Sequence, residues 1–205
     1  IVRSLVGSEM CIRDSYSSYE KVDVEMRAPH AMPGYHWHGQ IEVNIPFGDD
    51  VEYMMNGSPI HLKNGSIGLF WASVPHRLTD PGASHNMGII NIPIHHFMSW
   101  PLNRDLVSQL THGAVLQSKS CNLISEFEIA RWAEESQHPS ESRQQLVTDE
   151  IGLMLKRVCL DGWQQLSTGR ADKAAKSNTS KHSQFYVSQM PVSYTHLTLP
   201  TRSTV

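Results

Sequence analysis

The stretch His36-Trp37-His38-Gly39-Gln40-Ile41-Glu42-Val43-Asn44-Ile45 alternates in polarity almost residue by residue. In an extended chain, successive side chains point to opposite faces. His36, His38, Gln40, Glu42 and Asn44 therefore share one face, while Trp37, Ile41, Val43 and Ile45 share the other. Burying five polar groups without a ligand or water is costly. This strand therefore reads as part of a binding site rather than of a purely structural dimerisation module.

The flanking sequence is of the same kind. From Tyr19 to Arg27, Val22, Val24 and Met26 alternate with Lys21, Asp23, Glu25 and Arg27, the pattern of a half-buried strand. Pro29 and Pro33-Gly34 interrupt it. Glu52 to Leu62 carries Asn56-Gly57, a strong hairpin signal because both residues tolerate positive φ. Short apolar runs follow at Ile67 to Ala72, ending near Pro75, and at Met87 to Ile94, closed by Pro93. Regular short strands separated by turns indicate an all-β sandwich or barrel.

After His95 the pattern becomes helical. Pro101 suits a first helical residue and Gly113 a stop, with Leu102, Leu106 and Leu110 at helical spacing between them. Ser125 to Ser136 reads as a helix with Phe127, Ile129, Ala130 and Ala133 as its buried positions. Gln144 to Trp163 reads as a longer one. Its apolar face of Leu146, Ile151, Leu153, Met154, Leu155 and Val158 serves either packing on the barrel or a dimer contact. Gln164 to Ser183 is polar and nearly free of apolar anchors, the composition of a linker. Gln184 to Met190 resembles the opening turns of another helix.

The chain has 205 residues and a net charge of −3, unlike a stand-alone nucleic-acid binder. No apolar run approaches the roughly 20 residues that span a membrane. Cys121 and Cys159 are isolated and read as reduced thiols of a cytoplasmic protein. The two ends are unusual. Met10 to Ser15 can be encoded as ATG TGT ATA AGA GAC AG, whose reverse complement translates as Val192-Ser193-Tyr194-Thr195-His196. Residues 1–15 and 191–205 thus look like translated sequencing-adapter DNA and are set aside.

His36-x-His38-x3-Glu42, followed by Pro75-His76 on another strand, resembles the cupin family. That likeness implies a double-stranded β-helix, or jelly roll, followed here by the α-helical segment. If a metal binds, the resemblance assigns it to His36, His38, Glu42 and His76. The favoured alternative is that these groups line an organic-ligand site, with no metal and no cofactor. A second likeness is longer. Arg27-Ala28-Pro29-His30, His36 to Asn44 and Phe70-Trp71-Ala72 resemble the sensor half of AraC-type bacterial transcription regulators. Asp149 to Arg157 and Gln184 to Met190 narrow it to members that respond to α-galactosides.

The resemblance implies a transcription activator rather than an enzyme. Residues 16–117 would be a cupin-like effector-binding domain, 118–163 a helical dimerisation segment, 164–183 a linker and 184–190 the start of a helix-turn-helix domain. It implies a small sugar effector, a homodimer and no membrane. DNA and RNA polymerase would be partners only of the full-length protein. Aromatic faces take the C–H face of a sugar, and polar groups its hydroxyls. The ligand-binding candidates are therefore His36, His38, Gln40, Glu42, Asn44, Trp71 and His76. Trp37 has the wrong parity and is expected in the core. The competing class is a metal-dependent cupin enzyme, a dioxygenase or sugar isomerase. Sequencing the genomic DNA downstream of Met190 separates the two. A regulator's frame continues for on the order of 100 residues and carries helix-turn-helix motifs; an early stop codon favours the enzyme.

Overall fold

A computed structural model of the chain describes residues 20–167, which lie within one compact unit. The expected adapter segments, residues 168–183 of the expected linker and the segment 184–190 lie outside the described residues. Seven strands come first: β1 (Asp23–Arg27), β2 (Ile41–Phe47), β3 (Val51–Met55), β4 (Ser58–Leu62), β5 (Ser66–Trp71), β6 (His76–Asp80) and β7 (Asn86–Ile92). Helices α1 (Ile94–Ser99) and α2 (Arg104–Thr111), strand β8 (Val115–Cys121), helices α3 (Glu126–Ser136) and α4 (Glu141–Asp161), and strand β9 (Trp163–Ser167) follow.

The strands form two antiparallel sheets, one ordered β1-β7-β2-β5-β8-β9 and the other β4-β3-β6. This is the cupin-like β fold that the motif implied. All seven residues of β2 are buried, because the strand is covered on both faces. Ile41, Val43 and Ile45 join Val24, Leu69, Ile90 and Ile92 in a core completed by Leu106, Leu110, Ile129, Trp132, Ile151 and Leu155 of the helices. On the opposite face, Phe70, Met87 and Ile89 pack against Val51, Tyr53, Ile60 and Leu78 of the small sheet. The polar face of β2 therefore looks into the space between the sheets.

Local chemistry accounts for most of the boundaries. Asn56 and Gly57 have φ of 49° and 79°, as the two-residue turn joining β3 to β4 requires. The Ser125 side chain accepts from the Glu128 amide and Glu128 returns a bond to the Ser125 amide, closing a capping box at α3.

Several expectations are corrected. Pro101 does not start a helix; Asn103 caps α2, accepting from the Asp105 amide. Phe127 is 76% exposed and Ala130 is exposed, because the inward stripe of α3 runs through Ile129 and Trp132. Trp37 is 53% exposed rather than in the core. The apolar face of α4 divides. Val147, Ile151, Met154, Leu155 and Val158 are buried in the core, while Leu146, Leu153 and Leu160 point outward. Trp163 to Ser167, read as helix end and linker, pair with β8 as an edge strand. Strand β8 and helix α1 were not read from the sequence.

Gly88 on β7 is where α3 meets the large sheet. A Cβ there would come within 2.9 Å of Ile129 Cγ2. Gly88→Ala is expected to destabilise the protein by about 1–3 kcal/mol through overpacking. Urea denaturation measures the loss, and with Ile129→Ala, which removes both contacting γ-carbons, the double variant should lose less than the sum of the two single variants.

Candidate functional site

Glu42 sits at the start of β2 on its inner face, with only 6% of its surface exposed. His38 Nε2 lies 2.9 Å and His76 Nε2 3.3 Å from Glu42 Oε2, and Asn44 Nδ2 donates to Glu42 Oε1 at 2.9 Å. His36 arrives from the chain entering β2. Its amide donates to the His76 carbonyl and the His76 amide donates back, each at 3.0 Å. The His38 amide donates to Ala72 O at 3.0 Å, and the Met32 amide to Leu78 O at 2.8 Å. The segment from Met32 to His36 is thus laid alongside β6 and His38 against the end of β5, which brings three imidazoles and one carboxylate together. Ligand atoms of His36, His38, Glu42 and His76 all lie within 4.8 Å of one another.

The proton arrangement is informative. His76 Nδ1 lies 2.8 Å from the Val74 carbonyl, which can only accept. In the neutral ring, Nε2 then carries a lone pair, and that lone pair faces the Glu42 carboxylate. Two acceptors face each other unless a proton or a cation lies between them. A backbone carbonyl holding the far nitrogen is also how metal-ligating histidines are commonly oriented. His36 Nδ1 and His38 Nδ1 are buried without a hydrogen-bond partner among the described residues. Burial, with His76 nearby, lowers the His36 pKa to about 4, so that ring is neutral and able to ligate. Burial opposes ionisation of Glu42. Hydrogen bonding from His38 and the approach of His76 more than offset it, and hold the carboxyl well below its usual range. Three imidazoles and a carboxylate suit Fe, Mn, Ni or Zn, with positions left open on a six-coordinate ion.

Beside the cluster a cavity of about 120 Å³ opens, with Glu25, Arg27, His30, His36, His38, Glu42 and Asn91 on its polar side. Met32, Leu78, Met87 and Ile89 supply an apolar wall. Of the sequence candidates, His36, His38 and Glu42 line this cavity and His76 closes the cluster behind them. Asn44 lies one step back, bonded to Glu42. Gln40 is buried but does not line the cavity. Trp71 is a correction. It pairs with Ile41 and so points to the helix side of the sheet, where it packs on the core and donates to Gly39 O at 3.1 Å. Glu25, Arg27, His30 and Asn91 were missed. Asn91 was visible as the one polar residue in Gly88-Ile89-Ile90-Asn91-Ile92, but only the β2–β7 register places it opposite Glu42.

No protein-family model matches the chain. The melibiose operon regulatory protein of Escherichia coli strain K12 is 49% identical over 175 residues. That match covers 85% of this chain and 58% of the relative. The chain is homologous to that regulator. The counterpart from Escherichia coli O6:H1 matches with the same figures, so the chain spans a little over half the length of both curated relatives. By name, both relatives are regulatory proteins of the melibiose operon. Among solved structures, ToxT from Vibrio cholerae matches at a TM-score of 0.40 and 10% identity, over 75% of this chain and 58% of that one. The AraC-like transcriptional activator CuxR matches at 0.38 and 15%, over 82% and 56%. Both are loose likenesses of shape.

Glu42→Ala leaves His38, His76 and Asn44 facing one another without the carboxylate. In chelator-treated protein it is expected to cost about 1–3 kcal/mol, the range for leaving a buried donor unsatisfied. Glu42→Gln, which keeps an acceptor, should cost less. Guanidinium denaturation of the two variants beside the parent measures the difference.

Proposed function

We propose that the chain is the effector-sensing and dimerisation region of an AraC-type transcription activator, with an α-galactoside such as melibiose as its effector. The observation that carries this is the 49% identity over 175 residues to the melibiose operon regulatory protein. The cavity is consistent with an uncharged polyhydroxyl ligand. Arg27 is paired with Glu25 at 3.4 Å, and the remaining polar lining offers imidazole, amide and carboxylate partners for hydroxyls. In this reading residues 16–117 hold the effector and 118–163 the dimer contact. DNA reading and contact with RNA polymerase belong to the part of the longer protein that lies outside the match.

The histidine–glutamate cluster supports a second reading of how the effector is held. A divalent metal on His36, His38, Glu42 and His76 would supply Lewis-acid positions for hydroxyl oxygens. Without it, the same imidazoles bind the hydroxyls directly. Isothermal calorimetry with melibiose, before and after chelation, tests both. Heat that survives chelation assigns the contact to the side chains. Heat lost in chelator and restored by Zn²⁺ or Mn²⁺ assigns it to the metal. No heat from any α-galactoside, with or without metal, removes the sugar as effector.

For dimerisation, the outward stripe of α4 favours a second copy of the chain. Leu146, Leu153 and Leu160 recur every seven residues and are 49%, 51% and 84% exposed. In an antiparallel pairing about a two-fold axis at Leu153, Leu146 meets Leu160 of the other copy. The same register sets Asp149 against Arg157, opposite charges. Leu153→Asp would place two carboxylates on the axis. It is expected to yield a monomer by sedimentation velocity with an unchanged circular dichroism spectrum.

A further inference from the structure

Asn91 carries a buried polar atom that the fold itself does not use. It pairs directly with Glu42 across β2 and β7, so the two side chains share the inner face of the large sheet. Its Oδ1 is buried and has no hydrogen-bond partner among the described residues, and its side chain lines the cavity with His36 and His38. A buried acceptor without a donor is unfavourable, so the position calls for a donor from within the cavity.

Space and neighbours decide what that donor is. The cavity is about 120 Å³, room for about four waters at ~30 Å³ each. Water therefore fits. A free water offers lone pairs as well as protons, whereas a water bound to a cation has committed its oxygen and presents protons only. Groups able to hold that cation lie on the same side of the sheet: the ligand atoms of His36, His38, Glu42 and His76 fall within 4.8 Å of one another. His36 Nδ1, His38 Nδ1 and His76 Nε2 are, like Asn91 Oδ1, buried without a hydrogen-bond partner among the described residues. A tetrahedral ion such as Zn²⁺ would be filled by these four side chains. It would keep no water of its own and leave Asn91 without a role. A six-coordinate ion keeps positions for water.

Resting on the metal reading of the cluster, we propose that the site holds a six-coordinate ion of the Mn²⁺, Fe²⁺ or Co²⁺ kind that retains water, and that Asn91 positions that water by accepting a hydrogen bond at Oδ1. Asn91 is a positioning residue and not a ligand. Asn44 has the matching task on Glu42. Its Nδ2 donates to Oε1 at 2.9 Å, which leaves Oε2, the oxygen facing His38 and His76, for the ion. Outer partners of this kind are commonly worth a factor of about 10–100 in metal affinity.

The test is titration of the metal-free 205-residue chain with Mn²⁺, followed by water-proton relaxation, on the parent, His76→Ala, Asn91→Ala and Asn91→Asp. The parent should bind Mn²⁺ with the relaxation enhancement of an ion that exchanges its own water with the bulk, and His76→Ala should lose most of that binding. Asn91→Ala should weaken Mn²⁺ by a factor of about 10–100 while the melting temperature of the metal-free protein holds. Asn91→Asp, which keeps the acceptor and adds a charge, should bind at least as tightly as the parent. Unchanged affinity in a folded Asn91→Ala, or an Asn91→Asp as weak as Asn91→Ala, overturns the role of Asn91. Bound Mn²⁺ without enhancement from its own water overturns the retained water. Binding of Zn²⁺ with none of Mn²⁺ or Co²⁺ overturns the six-coordinate assignment, and binding of no metal overturns the site. None of these outcomes involves a sugar, so the effector reading stands or falls on its own calorimetry.

Discussion

An ionised carboxylate in a nearly dry space between two sheets needs partners on every side. Glu42 is bonded by His38 from its own strand's approach and by Asn44 from the next inward position of β2, and His76 of the small sheet comes within 3.3 Å. That requirement ties the large sheet to the small one at one end of the molecule. The helices then close the other face of β2 with an apolar layer, so that one strand separates a polar interior from a greasy one. Each of its residues is buried, but for opposite reasons on the two sides.

This division was legible in the alternation from His36 to Ile45, and with it the fold class. Asn56-Gly57 announced its hairpin, and Ser125 with Glu128 its helix start, because the required chemistry is local in each case. Other features depended on what lies across space. Strands β8 and β9 join the large sheet after two helices have intervened, and no short-range pattern tells Val115 to Cys121 where to pair. Trp71 was misread for the same reason. Only its pairing with Ile41 decides which face it takes. Arg27 and Asn91 reach the cavity through the β1–β7–β2 register, whereas the histidines reach it through spacing that could be counted.

The long helix shows how one element can serve two surfaces. Its inner stripe is fully committed to the core, and Arg131 and Trp132 of α3 fasten it through Glu150. Its outer leucines are left over once that packing is complete. A hydrophobic face read from sequence was thus two faces at slightly different angles around the same axis. Their separation could be seen only when the sheet beneath had taken its share.

The reciprocal amide bonds between His36 and His76 are the narrowest part of the structure. They form a single bridge to β6, joined there by the Met32 amide on Leu78 and the Arg77 guanidinium over Tyr35, while the His38 amide holds Ala72 just past β5. A seam of so few bonds can part without unfolding either sheet. When it parts, His36 is drawn away from Glu42 and the cavity loses a wall. Exchange of the His36 and His76 amide protons with solvent would then proceed at the rate of that local opening rather than of global unfolding. His36 on one side of the seam and Leu78 on the other both line the cavity, so an occupant that touched both would hold the seam closed.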